Sequence, residues 1–95
     1  MAAAALTFSH REWLGGGRFE ALVPGHEAQG PVDLDYELDG RRALFVHTGT
    51  PPALRGQGLA AQVTQHAWDW AQAKGLEVVP VCPYVAAWMR RQGLG

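Results

Sequence analysis

The sequence predicts one mixed α/β (α+β) domain: an antiparallel β-meander, a parallel βαβ unit and a short C-terminal helix, in the order β-β-β-α-β-α. Three observations carry that prediction. Residues 32–38 alternate strictly, Val32, Leu34, Tyr36 and Leu38 against Asp33, Asp35 and Glu37, which is the period of a strand with one apolar and one wet face. Asp39-Gly40 follows at once and signals a tight hairpin. Farther on, Leu59, Val63, Ala67, Trp70 and Ala71 recur at three- and four-residue steps, the stripe of a helix packed on a core. A chain of 95 residues has room for one sheet and about two helices, and for no second domain.

The elements can be justified in order. Ala2 to Phe8 is apolar enough for a short edge strand. Gly15-Gly16-Gly17 reads as a flexible break, so residues 1–17 are expected to be an extension or edge strand, loosely attached to a domain over 18–95. Arg18 to Val23 reads as the first strand of the meander, and Pro24-Gly25 ends it. Strand 32–38 and its hairpin lead into Arg42 to Thr48. The continuous run Ala43-Leu44-Phe45-Val46 predicts burial on both faces there.

Gly58 to Lys74 is the long helix, with Gly75 as its stop and Lys74 suited to the last turn. Trp68 falls off the main stripe and is expected to be exposed or to touch a partner. Leu76 to Cys82 is a further strand, in which Pro80 implies a missing ladder bond or a bulge. Pro83 then starts a short helix whose apolar face is Tyr84, Val85, Trp88 and Met89. The connection from strand 42–48 through the helix to strand 76–82 should be right-handed, with the two strands parallel.

Composition narrows the function. A formal net charge of -1 offers no field for nucleic acid, and Arg41-Arg42 and Arg90-Arg91 are isolated pairs rather than a basic stripe. No run reaches the ~20 apolar residues of a membrane span, and the first residues lack the basic flank of a signal peptide. A single cysteine, Cys82, excludes an internal disulfide framework and fits a reducing compartment. The expectation is a cytoplasmic protein, a monomer or weak homodimer, with no nucleic-acid or membrane partner and no metal.

The segment that carries chemistry is Pro51-Pro52-Ala53-Leu54-Arg55-Gly56-Gln57-Gly58-Leu59-Ala60. It ends at the start of the long helix. A helix start has unpaired N–H groups and a partial positive charge. Glycines let those groups approach an anion, and Arg55 adds a cation. The plain alternative is a glycine-rich start to a helix, with a solvated arginine.

Two phosphate loops fail here. A Walker loop needs Gly-Lys before Ser or Thr, and no lysine is present. The dinucleotide fingerprint is matched by Gly56, Gly58 and Ala61, with Glu77 near the required spacing of about 20 residues. That fingerprint needs a strand turning directly into the glycines, whereas Pro51-Pro52 intervene here, and too little chain remains for a doubly wound sheet.

A third pattern fits. Arg55 to Ala60 reads Arg-x-x-Gly-x-Ala after a buried strand and a proline-containing loop. This resembles the acetyl-CoA pyrophosphate loop of the GNAT N-acetyltransferase superfamily, Gln/Arg-x-x-Gly-x-Gly/Ala. The resemblance narrows to the small single-domain GNAT-like family. There His-Thr-x-x-Pro precedes the loop and Val-x-Pro-x-Cys-x-Tyr/Phe-Val follows the helix. Here those pieces are His47-Thr48 with Pro51, and Val78 to Val85. The match is dense from His47 to Arg91, looser over 18–46, and does not cover 1–17.

The resemblance implies an acetyl-CoA-dependent N-acyltransferase with acetyl-CoA as co-substrate and an amine, free or on a protein, as acceptor. It implies that Val46, His47 and Thr48 bind the pantetheine arm through their backbone. Arg55, Gly56, Gln57, Gly58, Leu59 and Ala60 would bind the pyrophosphate. Tyr84 is the implied acid for the leaving thiolate, Cys82 a candidate acetyl carrier or a buried structural thiol, and His47 a candidate base. Cys82 precedes a helix start, which lowers a thiol's pKa.

The chain departs from the family in two ways. Gly49 stands where many members have an acid. Residues 24–31 leave no room for the two helices that shape the acceptor site in larger relatives, so one sheet face should be open. Asp33, Asp35 and Glu37 on that face would attract a cationic amine, or are simply solvated. Two other readings stand beside the enzyme: a CoA-binding module with little catalysis, and an interaction protein that retains the fold.

Overall fold

The computed structural model describes residues 5–94. Five strands form one sheet in chain order: β1 (Thr7–Trp13), β2 (Gly16–Leu22), β3 (Val32–Asp39), β4 (Arg42–Gly49) and β5 (Glu77–Pro80). The first four are antiparallel neighbours, and β4 pairs with β5 in parallel. The crossover between them carries α1 (Leu59–Ala73), and α2 (Pro83–Arg91) follows β5. The order expected from residue 18 onward is present, with one more strand ahead of it.

That strand, β1, is later than the apolar start suggested, and residues 2–4 of the expected strand lie outside the described residues. Two of the three glycines are not a break: Gly16 and Gly17 are buried inside β2. They are there for space. A Cβ on Gly16 would sit 2.5 Å from the Tyr36 carbonyl oxygen, and one on Gly17 would run into the Tyr36 hydroxyl. Only Gly15, at φ 85°, serves the turn.

One face of the sheet supplies the core. Phe19, Ala21, Val32, Leu34, Tyr36, Ala43 and Phe45 are buried against Val63, Ala67 and Ala71 of α1 and Val85, Trp88 and Met89 of α2. The expected α1 stripe is correct except that Trp70 is half-buried, edge-on to His10 and Phe19 and tilted against Tyr36. Trp68 is half-buried rather than exposed. Its ring packs 6.0 Å from Trp88, because α2 covers the flank of α1 that a one-helix stripe leaves bare.

β4 is not buried on both faces. Ala43 and Phe45 are buried but Leu44 and Val46 only half so, because they look toward the face that carries Arg18, Glu20, Asp33 and Asp35. No helix among the described residues is long and apolar enough to cross a membrane.

Candidate functional site

The site begins where β4 and β5 part. Their ladder runs from Arg42 opposite Glu77 to Phe45 opposite Pro80 and stops. The Pro80 nitrogen faces away from β4, on the outer edge of the sheet, where no N–H is needed. The Val81 N–H turns back to the Val79 carbonyl at 3.0 Å, and the Cys82 N–H reaches the Phe45 carbonyl at 2.8 Å. β4 continues through Val46, His47, Thr48 and Gly49 with β3 beside it but no partner on the β5 side. The ladder bond that the proline lacks is on the outer edge of β5, and the turn from Val79 to Cys82 is what ends the contact with β4.

β4 also carries a bulge. His47 pairs with Asp35 while Phe45 pairs with Tyr36, so Val46 is the extra residue. A bulge kinks its strand and re-aims the side chains that follow. Past it, Thr48 lies opposite Leu34 and approaches Cys82, whereas His47 and Gly49 lie opposite Asp35 and Asp33.

The second wall is the turn into α1. Pro51-Pro52 does not stay irregular: Pro52–Leu54 forms one 3-10 turn, with Leu54 buried. Gly56 and Gly58 then take positive φ, 81° and 72°, and a Cβ at either would meet nothing within 4 Å. Gly58 caps α1 without any side-chain bond to the helix's first N–H groups, so those donors remain free for an anion. Arg55 is exposed, its Nε donating to the Thr50 carbonyl at 3.4 Å.

A cavity of about 560 Å³ joins the two walls. It brings together His47, Thr48, Arg55, Gly56, Gly58, Leu59, Ala60 and Tyr84, eight of the eleven residues singled out from the sequence. Val46, Gln57 and Cys82 do not line it; Gln57 faces solvent, and Cys82 is 8 % exposed. Gly49, Thr50 and Leu54 also line it. The departure at Gly49 and the proline loop pointed to their segment, but not to these residues as walls.

Cys82 is the residue before α2, and its sulfur lies 3.6 Å from Thr48 Oγ1. Burial pushes the thiol up. The Val85 N–H, the Thr48 hydroxyl and the N–H groups of Tyr84 and Thr48 more than offset this and leave it below its ordinary value. Tyr84 is half-buried, with the Arg91 guanidinium 5.9 Å above its ring.

On the uncovered sheet face the acidic stripe is partly neutralised. Arg18 donates Nε to Asp35 Oδ1 at 2.6 Å and a second N–H to Oδ2 at 3.1 Å. Asp33, Asp35 and His47 bring ligand-type atoms within 4.8 Å, but Arg18 takes both Asp35 oxygens. Of the trio, Asp35 is therefore ion-paired with Arg18, and Asp33 is not.

The match to known families falls on this architecture. A family model described as GCN5-related N-acetyl-transferase matches residues 18–93. The chain belongs to this family. No curated protein matches it significantly. The parallel splay, the glycine turn and α1 all lie within the matched segment of this GCN5-related domain, and β1 lies outside it. Membership makes the chain an acetyltransferase-type protein in general, a class that uses acetyl-CoA and an amine acceptor.

Proposed function

We propose that the protein transfers an acetyl group from acetyl-CoA to an amine, with the pyrophosphate on the glycine turn and the pantetheine arm along β4. One observation carries this reading: a single cavity runs from the free N–H groups at the start of α1 to the unpaired edge of β4 and Tyr84. The residues present fit the ligand. Gly56 and Gly58 leave open the space where a side chain would stand, Arg55 supplies a cation, and Val46 to Thr48 have no ladder partner on the β5 side, where the Thr48 N–H meets the Cys82 sulfur. Acetyl-CoA supplies a thioester open to attack by an amine.

Each residue then has a task. The α1 N–H groups and Arg55 hold the two phosphates. Backbone of Val46, His47 and Thr48 aligns the arm, with Gln57 at the rim of the turn. Leu59 and Ala60 close the floor. Tyr84 gives a proton to the departing sulfur. Direct attack by the amine is preferred to an acetylated Cys82, because that thiol is buried and does not line the cavity. The lowered thiol still keeps a carrier role testable.

Calorimetric titration with acetyl-CoA, on wild type and on Arg55→Glu, is the deciding experiment. Saturable binding weakened about 10- to 100-fold by the charge reversal is expected, the worth of one charge-assisted contact. No binding to folded wild type at near-millimolar acetyl-CoA overturns the proposal. Turnover by Cys82→Ala should persist; its loss with acetyl-CoA binding intact would move the acetyl group onto Cys82.

A further inference from the structure

One carboxylate on the open sheet face is left over once the ion pairs are drawn. Arg18 is committed to Asp35 and lies 3.7 Å from Glu20. Asp33 gets no such partner. Its Oδ1 is shut off from solvent and is, among the described residues, the buried side-chain oxygen without a hydrogen bond. A buried oxygen in that state is unfavourable unless something else uses it.

Directly opposite Asp33, across the β3–β4 ladder, stands Gly49. A Cβ at that position would lie 2.9 Å from Asp33 Oδ1 and 3.4 Å from His47 Nε2. The missing side chain therefore leaves the carboxylate and the imidazole facing each other, with His47 Nε2 4.0 Å from Asp33 Oδ1. The His47 side chain is 62 % exposed, so a change of ring angle brings the two within hydrogen-bond reach. His47 is also one of the residues that line the cavity.

We infer that Asp33 and His47 form the proton-accepting pair of the acetyl transfer, with His47 taking the proton of the incoming ammonium and Asp33 holding the ring across Gly49. The inference rests on the acetyl-transfer reading above. Asp33 is a positioning residue, since it acts through His47. Its Oδ1 accepts from His47 Nε2–H and leaves Nδ1 to receive the proton.

The charge logic agrees. Burial holds the Asp33 carboxyl above its ordinary value; Arg18 of β2 opposes this, Asp35 of β3 adds to it, His47 of β4 opposes it, and Glu20 of β2 adds to it. An ionised Asp33 lacks a close counter-ion, and a proton arriving on His47 supplies one. The proton balance is complete. The ammonium gives one proton to His47, which releases it to solvent. The amine nitrogen then forms the C–N bond as the thioester C–S bond breaks; Tyr84 protonates the sulfur and is reprotonated by the second proton of the amine. The products are an amide, a thiol and one proton.

The test combines an NMR titration of the His47 ring with the pH profile of thiol release from acetyl-CoA, using spermidine and an N-blocked lysine peptide as acceptors. The proteins are wild type, Asp33→Asn and Gly49→Ala. The Gly49→Ala methyl displaces the carboxylate without changing its charge. Expected are a loss of the Nε2–H tautomer of the His47 ring in Asp33→Asn, read from its ring nitrogen shifts, and a drop in kcat/KM of tenfold or more at neutral pH in both variants. Acetyl-CoA affinity and Tm of Asp33→Asn should hold. An unchanged His47 tautomer in both variants, or wild-type turnover with a wild-type pH profile, overturns the pair alone. A wild type that binds no acetyl-CoA, or binds it and acetylates neither acceptor, overturns the transfer reading and the pair with it.

Discussion

The two halves of β4 obey different rules. From Arg42 to Phe45 the strand is paired on both edges, and its inward residues, Ala43 and Phe45, have no solvent exposure. From Val46 to Gly49 it is paired only with β3, opened by a bulge on one side and by the turn that ends β5 on the other. The first half holds the domain together. The second has free backbone, a histidine 62 % exposed and a glycine in place of a side chain. Chemistry is possible where the ladder stops, because only there can a ligand replace the missing strand.

The largest break in that contrast should come from paired substitutions. Phe45→Ala empties a fully buried site and is expected to cost about 3–5 kcal/mol. Thr48→Val, three residues on, removes only the hydroxyl near Cys82 and should cost about 1 kcal/mol or less. Thermal melts of both measure the difference, and equal losses would show that the two halves are one structural unit. Acetyl-CoA titration should rank them the other way, with the folded Thr48→Val the weaker binder relative to its stability loss.

A smaller effect sharpens the boundary itself. Pro80→Val adds an N–H on the outer edge of β5, because the groups that reach β4 alternate from Glu77. The turn from Val79 to Cys82 should therefore keep the splay open. The expected result is unchanged hydrogen exchange at the amides of Val46 to Thr48 and acetyl-CoA binding within about twofold of wild type. Slower exchange with weaker binding would mean that the proline ring, not the turn, sets the opening.

The same contrast explains what was legible in the sequence. The alternation of 32–38, the stripe of α1 and the glycines before it are local signals, and the structure keeps all three. β1 was obscured because Thr7–Trp13 presents only Phe8 and His10 to the core, and a histidine does not read as apolar. Gly16 and Gly17 were obscured because the reason for them is Tyr36, a strand away. The bulge at Val46 leaves no trace inside an apolar run. At the candidate site, eight of eleven residues share the cavity because one loop and one strand end supply most of them. Asp33 looked like any member of the acidic stripe; what separates it from Asp35 is Arg18 on β2 and the bare Gly49 on β4, both distant in sequence.

The smallest expected effect tests the far end of the sheet, where burial rather than opening sets the electrostatics. His10 stacks 3.9 Å from Phe19, and its Nε2 is 2.6 Å from the Tyr36 hydroxyl. Burial pushes that phenol up to about 12, with Glu12 adding to it, so it stays protonated and donates to Nε2. Nδ1–H then faces Glu12 at 3.5 Å. Burial lowers the His10 value below 6.5; Glu12 opposes this, and His66 and Lys74 reinforce it. The unfolded chain therefore takes up a proton before the folded one does. Stability should be constant above about pH 6.5 and fall as pH drops through the window between that value and the lower folded one. The partly exposed ring limits the loss to about 1 kcal/mol or less. His10→Phe keeps the stacking and removes the titration, so its denaturation midpoint should be flat across the same window. If wild type is as flat as His10→Phe, the ring's burial has no electrostatic consequence, and the proton-sensitive part of the molecule is confined to the open half of β4.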